Sequence, residues 1–192
     1  PKPFDQFGRT VAMSKNTVVV GSPLSAHDAN GDGKIACEST DQSECGLGIG
    51  FVFERNVSGE NNLGLYSKLT SSEANAYGFA YAVAMSDDTL VVASDKKSLE
   101  KADSYAHVFQ RGPKDTWNMV KLRQVEDEIP SSPYTFGSSV AVNDDLIMLG
   151  TLYASYDGNA DGKLDCVPDP EGLFGSECAL GFATLFKRDE GG

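Results

Sequence analysis

The sequence predicts an all-β fold built from three copies of a four-stranded antiparallel sheet, and two observations carry that expectation. One segment recurs three times, as FGRTVAMSKNTVVVGSP from Phe7, FAYAVAMSDDTLVVASD from Phe79 and FGSSVAVNDDLIMLGTL from Phe136. Each copy is also two apolar, strand-favouring runs joined by a few polar residues, which is a hairpin pattern. The repeats divide one continuous region, residues 1–192, at about 4–72, 73–130 and 131–192.

The elements follow in the same order in each copy. The first two strands turn at Ser14-Lys15-Asn16, Ser86-Asp87-Asp88 and Asn143-Asp144-Asp145. A third strand comes next, as GFVFER to Arg55, AHVFQR to Arg111 and ATLFKR to Arg188. A fourth is visible twice, as LYSKLT from Leu65 and WNMVKLR from Trp117; the third copy reaches Gly191-Gly192 without one and is expected to be incomplete. The strands are apolar on both faces, so each sheet should be covered on both sides. Radial stacking of such sheets is a β-propeller, which fits better than a β-sandwich. A closed propeller uses roughly four to eight blades. These three are therefore expected to belong to a larger propeller or assembly, with protein partners or self-association through exposed blade edges.

Copies one and three carry an acidic insert after the second strand. The first runs Asp28-Ala-Asn30-Gly-Asp32-Gly33-Lys34-Ile-Ala36-Cys37 and ends at Glu44-Cys45; the second runs Asp157-Gly-Asn159-Ala-Asp161-Gly162-Lys163-Leu-Asp165-Cys166 and ends at Glu177-Cys178. Oxygen side chains at loop positions 1, 3 and 5 with glycine at 6 follow the order of an EF-hand-type calcium loop. Two calcium sites are expected. Asp28, Asn30, Asp32 and the Lys34 carbonyl form the first, and Asp157, Asn159, Asp161 and the Lys163 carbonyl the second, with Asp165 as an extra ligand. Position 12, where an EF-hand places a bidentate Glu, is Ser39 or Pro168, so Glu44 and Glu177 are assigned that role.

Spacing ties the cysteines to the same device. The first Asp follows Gly21 or Gly150 by seven residues, the first Cys follows that Asp by nine, and the second Cys precedes Phe53 or Phe186 by eight. Four cysteines allow three connectivities; the duplication selects Cys37 with Cys45 and Cys166 with Cys178. Copy two is an internal control, because its connector Asp95 to Ser104 lacks cysteines and metal pattern alike.

The openings and strand ends of the repeats, Phe7-Gly8, Gly21-Ser22-Pro23, Phe51-Val52-Phe53 and Lys68-Leu69-Thr70 in the first copy, resemble the FG-GAP repeat family. That family includes the integrin α-subunit propeller and many secreted proteins, and the resemblance spans nearly the whole chain. It implies a propeller with calcium on one rim. Integrin-type blades hold their calcium loop in the first hairpin, whereas here the loop follows the second strand, as in the secreted subgroup of the family.

Charge and residue inventory narrow the function. The formal net charge is −12, and the two inserts, 28–45 at −4 and 157–178 at −5, hold most of it. Such a chain is unsuited to nucleic acid or an anionic membrane surface. There is no initiator Met, signal peptide or membrane-spanning run, so the sequence is read as a processed or excerpted piece, with no membrane insertion. Disulfides, low-affinity calcium modules and the glycosylation sequon Asn56-Val57-Ser58 all point to an extracellular or cell-surface setting. Catalysis is not expected: of the two histidines, His107 shares a strand face with Phe109 and reads as packed, and His27 abuts the first insert. No nucleophile set, phosphate-cradling loop or zinc spacing is present. The leading expectation is a calcium-binding structural or adhesive module of a surface, fibre or matrix. The alternative is a lectin- or integrin-like propeller that recognises a glycan or protein through its calcium rim.

Overall fold

The computed structural model describes residues 2–27, 48–55, 63–71, 78–94, 105–113, 116–124, 135–152 and 181–187. Every regular element among them is a β-strand, and the strands form three antiparallel sheets. Sheet 1 has the order β1 (Thr10–Ser14), β2 (Thr17–Ser22), β3 (Ile49–Arg55), β4 (Leu63–Leu69). Sheet 2 has the order β5 (Phe79–Ser86), β6 (Thr89–Ser94), β7 (Tyr105–Arg111), β8 (Trp117–Gln124). Sheet 3 has three strands, in the order β9 (Thr135–Asn143), β10 (Leu146–Leu152), β11 (Phe182–Lys187). The three-copy reading holds, and the last sheet has three strands among the described residues. Strand starts shift slightly: β1 begins at Thr10, three residues after Phe7, and β4 begins at Leu63.

The local rules repeat from sheet to sheet. Each first hairpin has a two-residue turn, closed by the pairs Ser14–Thr17, Ser86–Thr89 and Asn143–Leu146. Lys15, Asp87 and Asp144 open those turns in the left-handed region, at φ 52°, 39° and 47°, which matches the turn to strand twist. A bulge also recurs. Phe79 pairs with Ser94 and Ala82 with Ala93, and Phe136 pairs with Thr151 and Ser139 with Gly150, leaving two residues unmatched in each case. The residue after the Phe lies at φ +91° in Gly8, +65° in Ala80 and +75° in Gly137. Bulges of this kind favour glycine because a side chain resists positive φ.

Sheets stack face to face, with β5 against β1 and β2, and β9 against β5 and β6. Ala12, Val19, Val52 and Leu69 of sheet 1 meet Phe79, Ala80, Val83, Leu90, Val92 and Phe109 of sheet 2 in one core. The other face of sheet 2, with Val91, Ala106 and Val108, meets Val140, Val142, Ile147, Leu149 and Phe186 of sheet 3 in a second. Fully burying each large apolar side chain contributes about 1.5–3 kcal/mol. The middle sheet is thus covered on both sides. The outer faces of sheets 1 and 3 are not, and Val11, Met13, Met148 and Leu185 are exposed there.

Close backbone approach sets the spacing of the stack. A β-carbon at Gly21 would collide with the Ala80 carbonyl oxygen, and one at Gly137 would lie 2.7 Å from the Ala93 β-carbon. Gly21 and Ala93 occupy the same repeat position, as do Ala80 and Gly137. At each junction one of the two contacting positions is therefore a glycine. Gly21→Ala is expected to lower stability by roughly 1–3 kcal/mol through overpacking, measured by urea unfolding. Gly64→Ala, where nothing lies within 4 Å of the added carbon, is expected to leave the midpoint unchanged or raise it slightly.

Candidate functional site

The inserts of repeats one and three leave and re-enter their sheets through equivalent gates. β2 and β3 pair up to Gly21–Gly50 and Ser22–Ile49, and β10 and β11 pair up to Gly150–Ala183 and Thr151–Phe182. On the return side stand Gly48 at φ +83° and Gly181 at φ +71°. A β-carbon at Gly181 would lie 2.7 Å from the Thr151 carbonyl oxygen, so the returning chain is pressed on the departing one. In repeat one the gate is further closed by buried hydroxyls. Ser22 Oγ donates to the Asp5 carbonyl at 2.9 Å and shares a 2.6 Å hydrogen bond with Ser25 Oγ, while the Gly48 amide donates to the Ser25 carbonyl at 3.0 Å. The described ends of both inserts are held by strand pairing; the middle of each lies outside the described residues.

The metal-loop residues themselves, Asp28, Asn30, Asp32, Lys34, Glu44, Asp157, Asn159, Asp161, Lys163, Asp165 and Glu177, lie outside the described residues. So do Cys37, Cys45, Cys166, Cys178 and Asn56. Arg55, which precedes Asn56, sits at the turn end of its sheet, its amide donating to the Asn16 carbonyl at 2.8 Å. Among the described residues no cluster of His, Cys, Asp or Glu could hold a metal ion. The donor set of the inserts, carboxylates and an amide oxygen with no imidazole in the motif, suits a hard cation such as calcium. Both gates, set at matching registers, would present it at the same end of their sheets.

His107 lies on β7 with its ring wholly buried. Its Nε2 shares a 2.9 Å hydrogen bond with Ser71 Oγ, and Phe79 meets it edge-on at 4.9 Å between ring centres. Burial drives its pKa down to about 4, only partly opposed by a backbone hydrogen bond with Val92. The ring is a neutral core group, as its spacing from Phe109 implied. His27 is half-buried beside the first gate.

Polar contacts between sheets were not visible in the sequence. Arg111 on β7 reaches back to sheet 1, with Nη1 at 3.1 Å from Glu54 Oε1 and Nη2 on Thr17 Oγ1. Thr17 in turn donates to Glu54 at 2.7 Å. The guanidinium also lies over the Trp117 ring at 4.8 Å, so it is held by charge and by cation–π attraction. At the turns, the Asp87 amide donates to Ser14 Oγ at 3.1 Å and the Asp144 amide to Ser86 Oγ at 3.2 Å. The recurrence of Ser at turn position one and Asp at position two was the available signal. Only the repeat alignment gives it meaning.

Three face-stacked antiparallel sheets with bulged inner strands define propeller-type blades. Residues 2–35 match the FG-GAP repeat family, and the three sheets are consistent with blades of that kind. FG-GAP repeats are generally non-enzymatic structural or binding modules, typically extracellular. No curated protein matches the chain. Among the described residues no helix is long and apolar enough to cross a membrane.

The depressed His107 pKa makes stability pH-dependent. An unfolded His takes up a proton near 6.5 and the folded one near 4, so the unfolded chain holds more protons between those values. Stability is therefore full above about pH 6.5 and falls as the pH drops toward 4, by up to about 3 kcal/mol. Urea midpoints measured across that window should show the loss. His107→Phe, which installs the residue found at the equivalent Phe51, should flatten the His-dependent part of the slope.

Proposed function

We propose that the protein is a calcium-binding, disulfide-braced structural or adhesive module of an extracellular surface, fibre or matrix, not an enzyme. The observation that supports this reading is the pair of equivalent gates, Ser22–Ile49 with Gly48 and Thr151–Phe182 with Gly181. They bracket the two inserts whose oxygen-rich motifs are duplicated and whose cysteines keep register. Calcium in each insert would draw Asp28, Asn30, Asp32 and Glu44, or Asp157, Asn159, Asp161, Asp165 and Glu177, into one rigid loop. Each paired-cysteine ring would add about 2 to 3 kcal/mol by restricting the unfolded chain. Rigid loops at one rim of a stack of sheets form a surface suited to protein contacts, and extracellular calcium keeps such modules loaded. A sugar at Asn56 would sit in the connection that follows Arg55.

Calorimetric titration with calcium is expected to show two sites, the tighter one lost in Asp161→Ala and the weaker one in Asp32→Ala, because Asp165 has no counterpart at Ala36. Equal affinities, or no heat of binding, would overturn the assignment.

Hydrogen exchange with and without chelator provides a second check. Protection is expected to fall around β2–β3 and β10–β11 and to persist in β5–β6, whose repeat carries neither device. Uniform loss across all three sheets would contradict a local bracing role.

A further inference from the structure

The return limb of the first insert rests on the seam between sheets 1 and 2, and a histidine is built into that seam. Gly48, at φ +83°, lies so close to the Phe79 backbone that a β-carbon on it would collide there. Two residues on, a β-carbon at Gly50 would stand 3.7 Å from Phe79 Cε1. Phe79 is fully buried, and its ring meets the His107 ring at 4.9 Å between centres. Ser71, just past the end of β4, shares its 2.9 Å hydrogen bond with His107 Nε2. Sheet 1 itself has Phe51 at the position of His107. An aromatic ring that cannot titrate fills the same place there.

The surroundings of the ring suit its neutral form alone. Its partners across the sheet, Val92 on β6 and Leu122 on β8, and the sheet 1 residues of the first core carry no ionisable group. Tyr105, 6.0 Å away between ring centres, is the titratable neighbour among the described contacts, and a phenol carries no charge in acid. Phe109 stacks at 6.4 Å, beyond the roughly 6 Å at which cation–π attraction offsets burial. A second proton makes both ring nitrogens donors, so the Ser71 hydroxyl is left able only to accept, and the charge is cut off from water at high cost. At the gate itself the described titratable groups are His27, half-buried, and Asp5, whose carboxylate accepts the Lys2 amide at 2.5 Å.

We propose that His107 is an acid-sensitive latch for the first insert: protonation drives its ring out of the seam, withdraws the support of Phe79 and frees the Gly48 end of the gate. The coupling is local, because the ring, Phe79 and Gly48 are in successive contact. It does not rest on the calcium reading, because the gate is defined by its backbone. With the gate open the solvated histidine takes up a proton near 6.5, and with the gate closed near 4. Opening is therefore constant above about pH 6.5 and grows about tenfold for each pH unit below it, toward pH 4. An insert held at neutral pH is released in an acidic setting, with whatever its acidic residues bind. The gate in repeat three, where Gly181 rests on Thr151 of its own sheet, lies outside this chain of contacts.

The test is hydrogen exchange of the 192-residue chain at several pH values between about 6.5 and 4.5, corrected for intrinsic exchange rates, with small additions of urea at each. In the wild type the Gly48 amide, which donates to the Ser25 carbonyl, is expected to lose about tenfold in protection per pH unit with little dependence on urea, the mark of a local opening. Amides of β6 should exchange only with the full urea dependence of unfolding. His107→Phe and His107→Gln, checked for folding by circular dichroism, should each hold the Gly48 protection constant with pH, and His27→Gln should keep the wild-type response. Wild-type protection at Gly48 that does not change with pH, or that follows urea as steeply as β6, would overturn the proposal whether or not the variants fold. So would a pH response that survives in a folded His107 variant or disappears in His27→Gln.

Discussion

Burial of sheet faces against one another is the constraint on which the rest of this structure depends. A four-stranded sheet with apolar residues on both sides has no stable existence alone in water. In sheet 2 the two faces serve two different cores, Leu90 and Val92 facing sheet 1 and Val91 and Ala106 facing sheet 3. Adjacent residues of β6 thus point into separate interiors, and all six of its residues are buried. Such a strand loses the alternation of apolar and polar residues that marks a half-solvated sheet. Its sequence, TLVVAS, shows that loss directly.

Close packing of this kind demands backbone proximity as well as apolar side chains. The bulge at Phe79-Ala80 pushes a carbonyl onto Gly21, and the bulge at Phe136-Gly137 lies against Ala93. The two junctions place the glycine on opposite partners. A methyl group is accommodated on either side of the seam, provided the facing position has none. Ala80 keeps φ +65°, a conformation that opposes its side chain by about 1–2 kcal/mol. The surrounding sheet, fully burying that residue, holds it there.

The blade pattern was legible in the sequence because it is encoded locally and three times over. Hairpin turns, the FG-type openings and the apolar third strands each appear as contiguous segments, and the structure returns them at their expected places. His107 was legible for the same reason: period-two alternation puts it on the face of Phe109, and that face is core. What could not be read was pairing between repeats. Nothing near Arg111 in the chain announces Glu54 or Thr17, since the contact joins residues more than fifty positions apart. The exposure of Phe7 against the burial of Phe79 was equally hidden, because the two residues have the same local sequence and differ only in whether a neighbouring sheet lies over them. For the inserts, the described residues frame each loop at its gates.

The variation among the repeats separates what the fold requires from what is added to it. Turn position one is Ser, Ser or Asn, each able to accept a hydrogen bond from the next turn, and the third strands keep an aromatic at Phe53, Phe109 and Phe186. These positions serve stacking and recur throughout. Glu54, Gln110 and Lys187 share one position but differ in charge, and Glu54 pairs with Arg111 across the junction of sheets 1 and 2, both side chains about four-fifths covered. An ion pair so enclosed is costly unless well matched, so a charge here selects the neighbouring sheet more than it strengthens the stack. The acidic inserts and their cysteines are absent from repeat two, and its sheet is nonetheless the most completely buried of the three. The blade of repeat two is thus built without an insert. Whatever the loops bind, they act on a scaffold whose cohesion comes from its apolar faces.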